Sequence, residues 1–132
     1  GRISTLREYV DLTIRKLMDI DNYTAREFSS EIPEILCLSL IVEVIAVYPE
    51  LKQVVAESKM LRLSKLEQLI LNAKLAGELR PEIETSVLAK NLLNIGAGVL
   101  NYLIMHQDVS YALSSVRLQY EQLYLLASKT EE

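Results

Sequence analysis

The side chains best able to do chemistry are few in this sequence, and they are scattered. There is one histidine, His106, one cysteine, Cys37, and no tryptophan. A thiolate–imidazole nucleophile would have to pair those two, and nothing in the sequence brings them together. A carboxylate metal centre in a helical bundle needs Glu-x-x-His, but Leu103 stands three residues before His106. Asp19 and Asp21 alternate as calcium ligands would. An EF-hand then asks for glycine at its sixth position, where Thr24 stands, and glutamate at its twelfth, where Ser30 stands. The stretch from Asp19 to Thr24 therefore reads as a capped loop. Gly96-Ala97-Gly98 follows no strand, and no Gly-x-x-x-x-Gly-Lys or Gly-x-Gly-x-x-Gly loop occurs. The expectation is a chain without catalytic residues, metal or cofactor, and not an enzyme.

Composition bounds the scaffold. Half of the 132 residues are apolar, enough to close one core, so a single domain over 1–132 is expected. Glycine and proline are scarce, and runs of Leu, Ile, Ala, Glu, Lys and Gln favour helix, which makes the fold class all-α with about six helices. A net charge of −4 and a pI near 5.1 argue against this chain holding nucleic acid alone, because phosphate contacts need dense positive charge. A lone cysteine in an apolar run permits no intrachain disulfide, so the cytoplasm is the expected compartment. No signal-peptide pattern opens the chain, and Gly1 is not an initiator, which reads as a chain excised from something longer or trimmed after a tag.

Periodicity places the elements. From Ile3 to about Ile20, the residues Ile3, Leu6, Val10, Ile14 and Leu17 recur at three- and four-residue steps, an amphipathic helix with one buried face. The stretch from Ile32 to Tyr48 is apolar on nearly every side. It is shorter than the roughly 20 residues of a membrane span and contains Glu43, so it reads as the central helix of a bundle, started near Pro33 with Ser29 or Ser30 as cap and closed by Pro49. Between Glu50 and Ala76 the stripe changes phase, from Leu51, Val54 and Val55 to Leu63, Leu66, Leu69, Ile70 and Ala73. That predicts a break near Glu57 to Lys59. Lys52, Lys59, Arg62 and Lys65, interleaved with Glu57 and Glu67, read as a solvated face.

A helix capped by Thr85 or Glu84 is predicted to run to about His106, with two adjoining apolar faces and a third strip of Asn91, Asn94, Gly98 and Asn101. That strip is polar but uncharged, and it could line a subunit contact, a ligand cavity or water. Gly96 and Gly98 each cost about 1 kcal/mol relative to alanine inside a helix, so something should offset them: close approach of another helix, or room for a ligand. A last helix is expected from about Ser110 to Ser128. It carries Val116, Tyr120 and Leu123 on one seam and Tyr111, Leu118 and Leu125 on another. Spare apolar surface on the last two helices points to a homodimer built as a four-helix bundle, with Asn91, Gly98, Asn101, Tyr111, Val116, Leu118, Tyr120, Leu123 and Leu125 at the contact.

The junction Ala76-Gly77-Glu78-Leu79-Arg80-Pro81-Glu82-Ile83-Glu84 ends one helix at Gly77 and favours a new start after Pro81. This junction, the order of helices and a following helix with glycine near its middle resemble the C-terminal regulatory domain of bacterial TetR-family transcriptional repressors. The resemblance covers nearly the whole chain. It implies a domain that binds a small effector and dimerises through its last two helices, while a separate N-terminal helix-turn-helix domain, which this chain lacks, holds operator DNA. The helix from Ile3 would lead to that reader. Effector positions vary across the family, so the candidates are inward residues of mixed chemistry: Tyr9, Thr13, Leu17, Leu36, Cys37, Leu40, Leu66, Ile70, Asn94, Tyr102 and His106. The apolar surroundings imply a mostly apolar effector. The rival reading is a helical dimerising scaffold that recruits a protein partner and has no small-molecule pocket.

Overall fold

The computed structural model describes residues 3–27 and 46–129, with the backbone alone for residues 20–27, 100, 103 and 104. Among them the chain is an all-α bundle of five helical segments: α1 Leu6–Glu27, α2 Glu50–Leu75, α3 Thr85–Ala97, α4 Val99–His106 and α5 Val109–Ala127. The closest pairings are α1 with α5, α2 with α3, and α4 with α5; α1 barely meets α2. Most of the apolar run from Ile32, including Pro33, its candidate caps and the site candidates Leu36, Cys37 and Leu40, lies outside the described residues. No described helix is long and apolar enough to cross a membrane.

Each helix end has an identifiable cause. At the start of α1, Thr5 is the N-cap: its hydroxyl accepts from the Glu8 amide at 3.0 Å and itself donates to the Glu8 carboxylate at 3.1 Å. Helix α2 closes in a Schellman motif, with Gly77 at φ +85°, its amide donating to the Lys74 carbonyl, and the Glu78 amide donating to the Ala73 carbonyl at 2.9 Å. Glu84 caps α3 by accepting from the Val87 amide at 3.0 Å. Asp108 caps α5 by accepting from the Tyr111 amide at 3.1 Å.

Three local expectations are corrected. Helix α1 does not stop at the Asp19–Thr24 stretch but continues to Glu27, because no residue there is a glycine or proline able to force an end. Helix α2 has no break near Glu57 to Lys59. All of its residues tolerate helix, and the change of stripe records a change of surroundings: Leu66, Ile70 and Ala73 are buried, whereas Leu51, Val54, Met60 and Leu61 are exposed. The helix expected from 85 to 106 is divided at Gly98, whose amide is shared between the carbonyls of Asn94 at 3.0 Å and Ile95 at 3.1 Å. Two glycines in three residues leave that turn with the weakest helix preference in the segment.

One core joins all five segments: Leu6, Val10 and Leu17 of α1, Leu66, Ile70 and Ala73 of α2, Leu79 of the junction, Leu88, Ala89 and Leu92 of α3, Val99 of α4, and Ala112, Leu113, Val116, Tyr120 and Ala127 of α5. Burying each large side chain contributes about 1.5–3 kcal/mol. Val116 and Tyr120, expected at a subunit contact, belong instead to this internal core. They fall on the seam of α5 that α1 and α3 already cover.

Candidate functional site

The junction between α2 and α3 ties three parts of the bundle together. Glu78 extends its carboxylate to the first turn of α1, accepting from the Leu6 amide at 3.1 Å and the Arg7 amide at 2.9 Å. The same carboxylate accepts from the Tyr124 hydroxyl of α5 at 2.8 Å. With the Glu8 amide on Thr5 Oγ1, the amides of Leu6, Arg7 and Glu8, which have no carbonyl partner within the helix, all find side-chain acceptors. A negative charge there also complements the helix dipole. Burial first, and then the bond to Glu78, push the Tyr124 hydroxyl up to about 12, so it stays a proton donor.

Neighbouring contacts strengthen the joint. Leu79, fully buried, forms an isolated antiparallel bridge with Ser128. The Arg80 amide donates to the Ala127 carbonyl, and the Lys129 amide to the Glu78 carbonyl, each at 2.9 Å. The Arg7 guanidinium lies 4.7 Å above the centre of the Tyr124 ring and pairs with Asp11, which holds that carboxyl below its usual range. Lys74 reaches across the turn to the Ile83 carbonyl at 2.6 Å and the Thr85 hydroxyl at 3.1 Å.

The second feature faces inward. Tyr120 of α5 is 3 % exposed, and its hydroxyl occupies space that only glycine leaves at position 96: a Cβ there would lie 2.8 Å from the oxygen. Close approach of another helix is thus what offsets the cost of Gly96. Tyr9 of α1 is half-buried, and Thr13, one turn on, donates its hydroxyl to the Tyr9 carbonyl at 2.8 Å. Burial raises both phenols above their ordinary range, and the Arg62 guanidinium of α2 is near enough to both to oppose that shift.

The third feature faces outward. Val87, Asn91, Asn94, Gly98, Asn101 and Met105 follow one another at steps of four and three along α3 and α4. Tyr111, Ser115, Leu118, Gln122 and Leu125 do so along α5. Both rows are free of charge. Val87, Met105, Tyr111, Leu118 and Leu125 are exposed, as are Asn91, Asn94 and Asn101. Between the rows runs an open groove of about 440 Å³ lined by Asn91, Asn94, Ile95, Gln119, Gln122, Leu123 and Leu126. A smaller groove of about 310 Å³ separates α2 from α3, between Lys59 and Lys90.

The residues singled out from sequence divide among these features. Tyr9, Thr13, Leu17, Leu66 and Ile70 face the interior, the last three as buried core. Asn94 borders both grooves and is exposed. Tyr102 accepts a hydrogen bond from Gln119 Nε2 at 2.8 Å, and exposed His106 packs against Tyr111 with ring centres 4.4 Å apart and planes tilted by 53°. Among the described residues no three or more of His, Cys, Asp and Glu gather as metal ligands would. Periodicity marks neither Glu78, named only as part of the junction, nor Tyr124 as a functional residue. The Glu78 partners on α1 are 71 and 72 positions away, so no local spacing marks them. Comparison with protein-family models, with curated proteins and with solved structures gives no match.

Proposed function

We propose that this chain is the ligand-sensing and dimerisation domain of a TetR-like transcriptional repressor, acting by binding and coupling rather than by catalysis. The observation that carries the reading is the Glu78 carboxylate, which bonds the start of α1 to the α2–α3 junction and to α5 at once. In a TetR-like arrangement α1 leads to the DNA reader. A ligand that moves α2 or α3 would displace the junction, and Glu78 would pass the movement to α1 without requiring direct packing of α1 on α2. Two readers on one dimer would then change spacing and lose registry with the half-sites. The ligand shifts that equilibrium only as far as it prefers the non-binding geometry. The uncharged outer face on α3, α4 and α5 supports the dimer.

That same face favours a second reading, a dimerising scaffold whose exposed rows recruit a protein partner. The native reading frame upstream of Arg2 separates the two. Over roughly sixty codons it is expected to encode three short helices with a tight turn between the second and third. A frame that encodes anything else there sinks the repressor reading and leaves the scaffold.

A further inference from the structure

The groove of about 310 Å³ between α2 and α3 is lined by Lys59, Met60 and Leu63 from one wall and by Lys90, Leu93 and Asn94 from the other. Lys59 and Leu63 stand one turn apart, as do Lys90 and Asn94, so each helix offers its wall as one face. Leu63 and Leu93 are half-buried and pack against the core, which makes the deeper lining hydrocarbon, and Met60 is exposed beside them. The charges of the groove are of one sign. Neither lysine has an acidic residue three or four positions away on its own helix, and Lys90 is the only charged residue of α3. Among the described residues neither ammonium makes an ion pair or a hydrogen bond. Two like charges facing across a helix seam repel, where a lysine opposite a glutamate would attract. On a chain of net charge −4 this groove is a local positive site, and an anion lying between its walls would offset the repulsion.

The rest of the lining indicates what the anion carries. A bare inorganic ion would leave Met60, Leu63 and Leu93 in contact with water, whereas an alkyl or aryl body would cover them. The volume lies at the small end of the roughly 300–1,000 Å³ usual for small-molecule sites, which fits one short chain better than a helix of a partner protein. Lysine stems are long and flexible enough to bring their ammonium groups over such a body, and the Asn94 amide is a further donor to a carboxylate oxygen. We propose that the groove between α2 and α3 holds a small apolar acid, its carboxylate between Lys59 and Lys90 and its hydrocarbon against Met60, Leu63 and Leu93. The junction that Glu78 ties to α1 joins these same two helices, so an acid that separates their walls acts on that joint. This last step rests on the sensing reading above and gives its effector a chemical class and a place.

Calorimetric titration of the chain with decanoate, held below its micelle concentration, tests the groove against two partial probes. Decanol has the body without the charge, and acetate has the charge without the body. Saturable binding of decanoate is expected, with little binding of either partial probe. Lys59→Gln combined with Lys90→Gln should weaken decanoate by about tenfold, the worth of two ion contacts partly screened by water. Lys52→Gln combined with Lys65→Gln removes the same charge from α2 outside the groove and should leave binding unchanged. All four lysines are exposed, so both double variants should keep the native circular dichroism. Decanoate binding that survives the loss of Lys59 and Lys90, or that falls equally in both double variants, overturns the acid site. Equal binding of decanol or acetate, or no binding of decanoate, overturns it as well. Each of those results leaves a sensor of another ligand class, and the upstream reading frame decides the repressor reading independently.

Discussion

Glu78 shows how much one side chain can decide when its partners lie on separate helices. Its carboxylate takes two amides that would otherwise be unpaired at the start of α1, and a phenol that burial has made a reluctant acid. The pH consequence comes from Tyr124, whose ionisation moves from 10.0 when free to about 12 in the fold. Folding raises this group, so its contribution to stability is complete below pH 10 and is lost as pH rises through about 12. The Tyr9 and Tyr120 shifts have the same sign and add to the loss. Thermal unfolding followed from pH 9 to pH 12 should show a steep fall beginning near pH 10. In Tyr124→Phe the fall should be shallower, and the variant should begin less stable at neutral pH by about 1 kcal/mol, the net worth of one hydrogen bond. An unchanged alkaline slope in that variant would mean the Tyr124–Glu78 bond does not form in solution.

Helix ends and breaks are set by single residues, and those were unevenly legible. Asp108 holds the start of α5 directly after Gln107, which has left-handed backbone at φ 54° and turns the chain back from α4. Asp108→Ala should cost about 1 kcal/mol in denaturant unfolding, and Asp108→Asn much less, since asparagine caps nearly as well. Equal losses in the two variants would assign the effect to charge rather than to the cap. The termination at Gly77 and the cap at Glu84 could be read from sequence because the residues that make them are adjacent in the chain. The continuity of α2 could not. Its stripe changes phase at Glu57 to Lys59 because the two halves have different surroundings, and periodicity alone does not separate that from a break. At Gly98 two glycines in three residues signal strain but not its outcome. Gly96 was flagged by type alone, and only the position of Tyr120 on a separate helix shows why alanine does not fit.

At the scale of the whole molecule, the division of α5 into two seams decides which substitutions report on assembly. Val116 and Tyr120 point into the chain's own core, whereas Tyr111, Leu118 and Leu125 stand seven residues apart on the outside, beside the asparagine row of α3 and α4. A wet helix face is better served by Lys and Glu, so two adjoining uncharged rows at heptad spacing fit burial against a second copy of themselves. Two-fold pairing would bring both rows of one protomer onto both rows of the other as an isologous four-helix bundle. Sedimentation equilibrium should therefore give twice the chain mass of 15.0 kDa. Leu118→Glu combined with Leu125→Glu should give the single mass with helical content retained, since both residues are exposed in the isolated chain. Val116→Glu should instead unfold the chain, because it places a carboxylate where the side chain is 0 % exposed. Were the double variant still dimeric, the contact would lie elsewhere, and the exposed apolar residues of the first half of α2, Leu51, Val54, Met60 and Leu61, would be the next face to substitute.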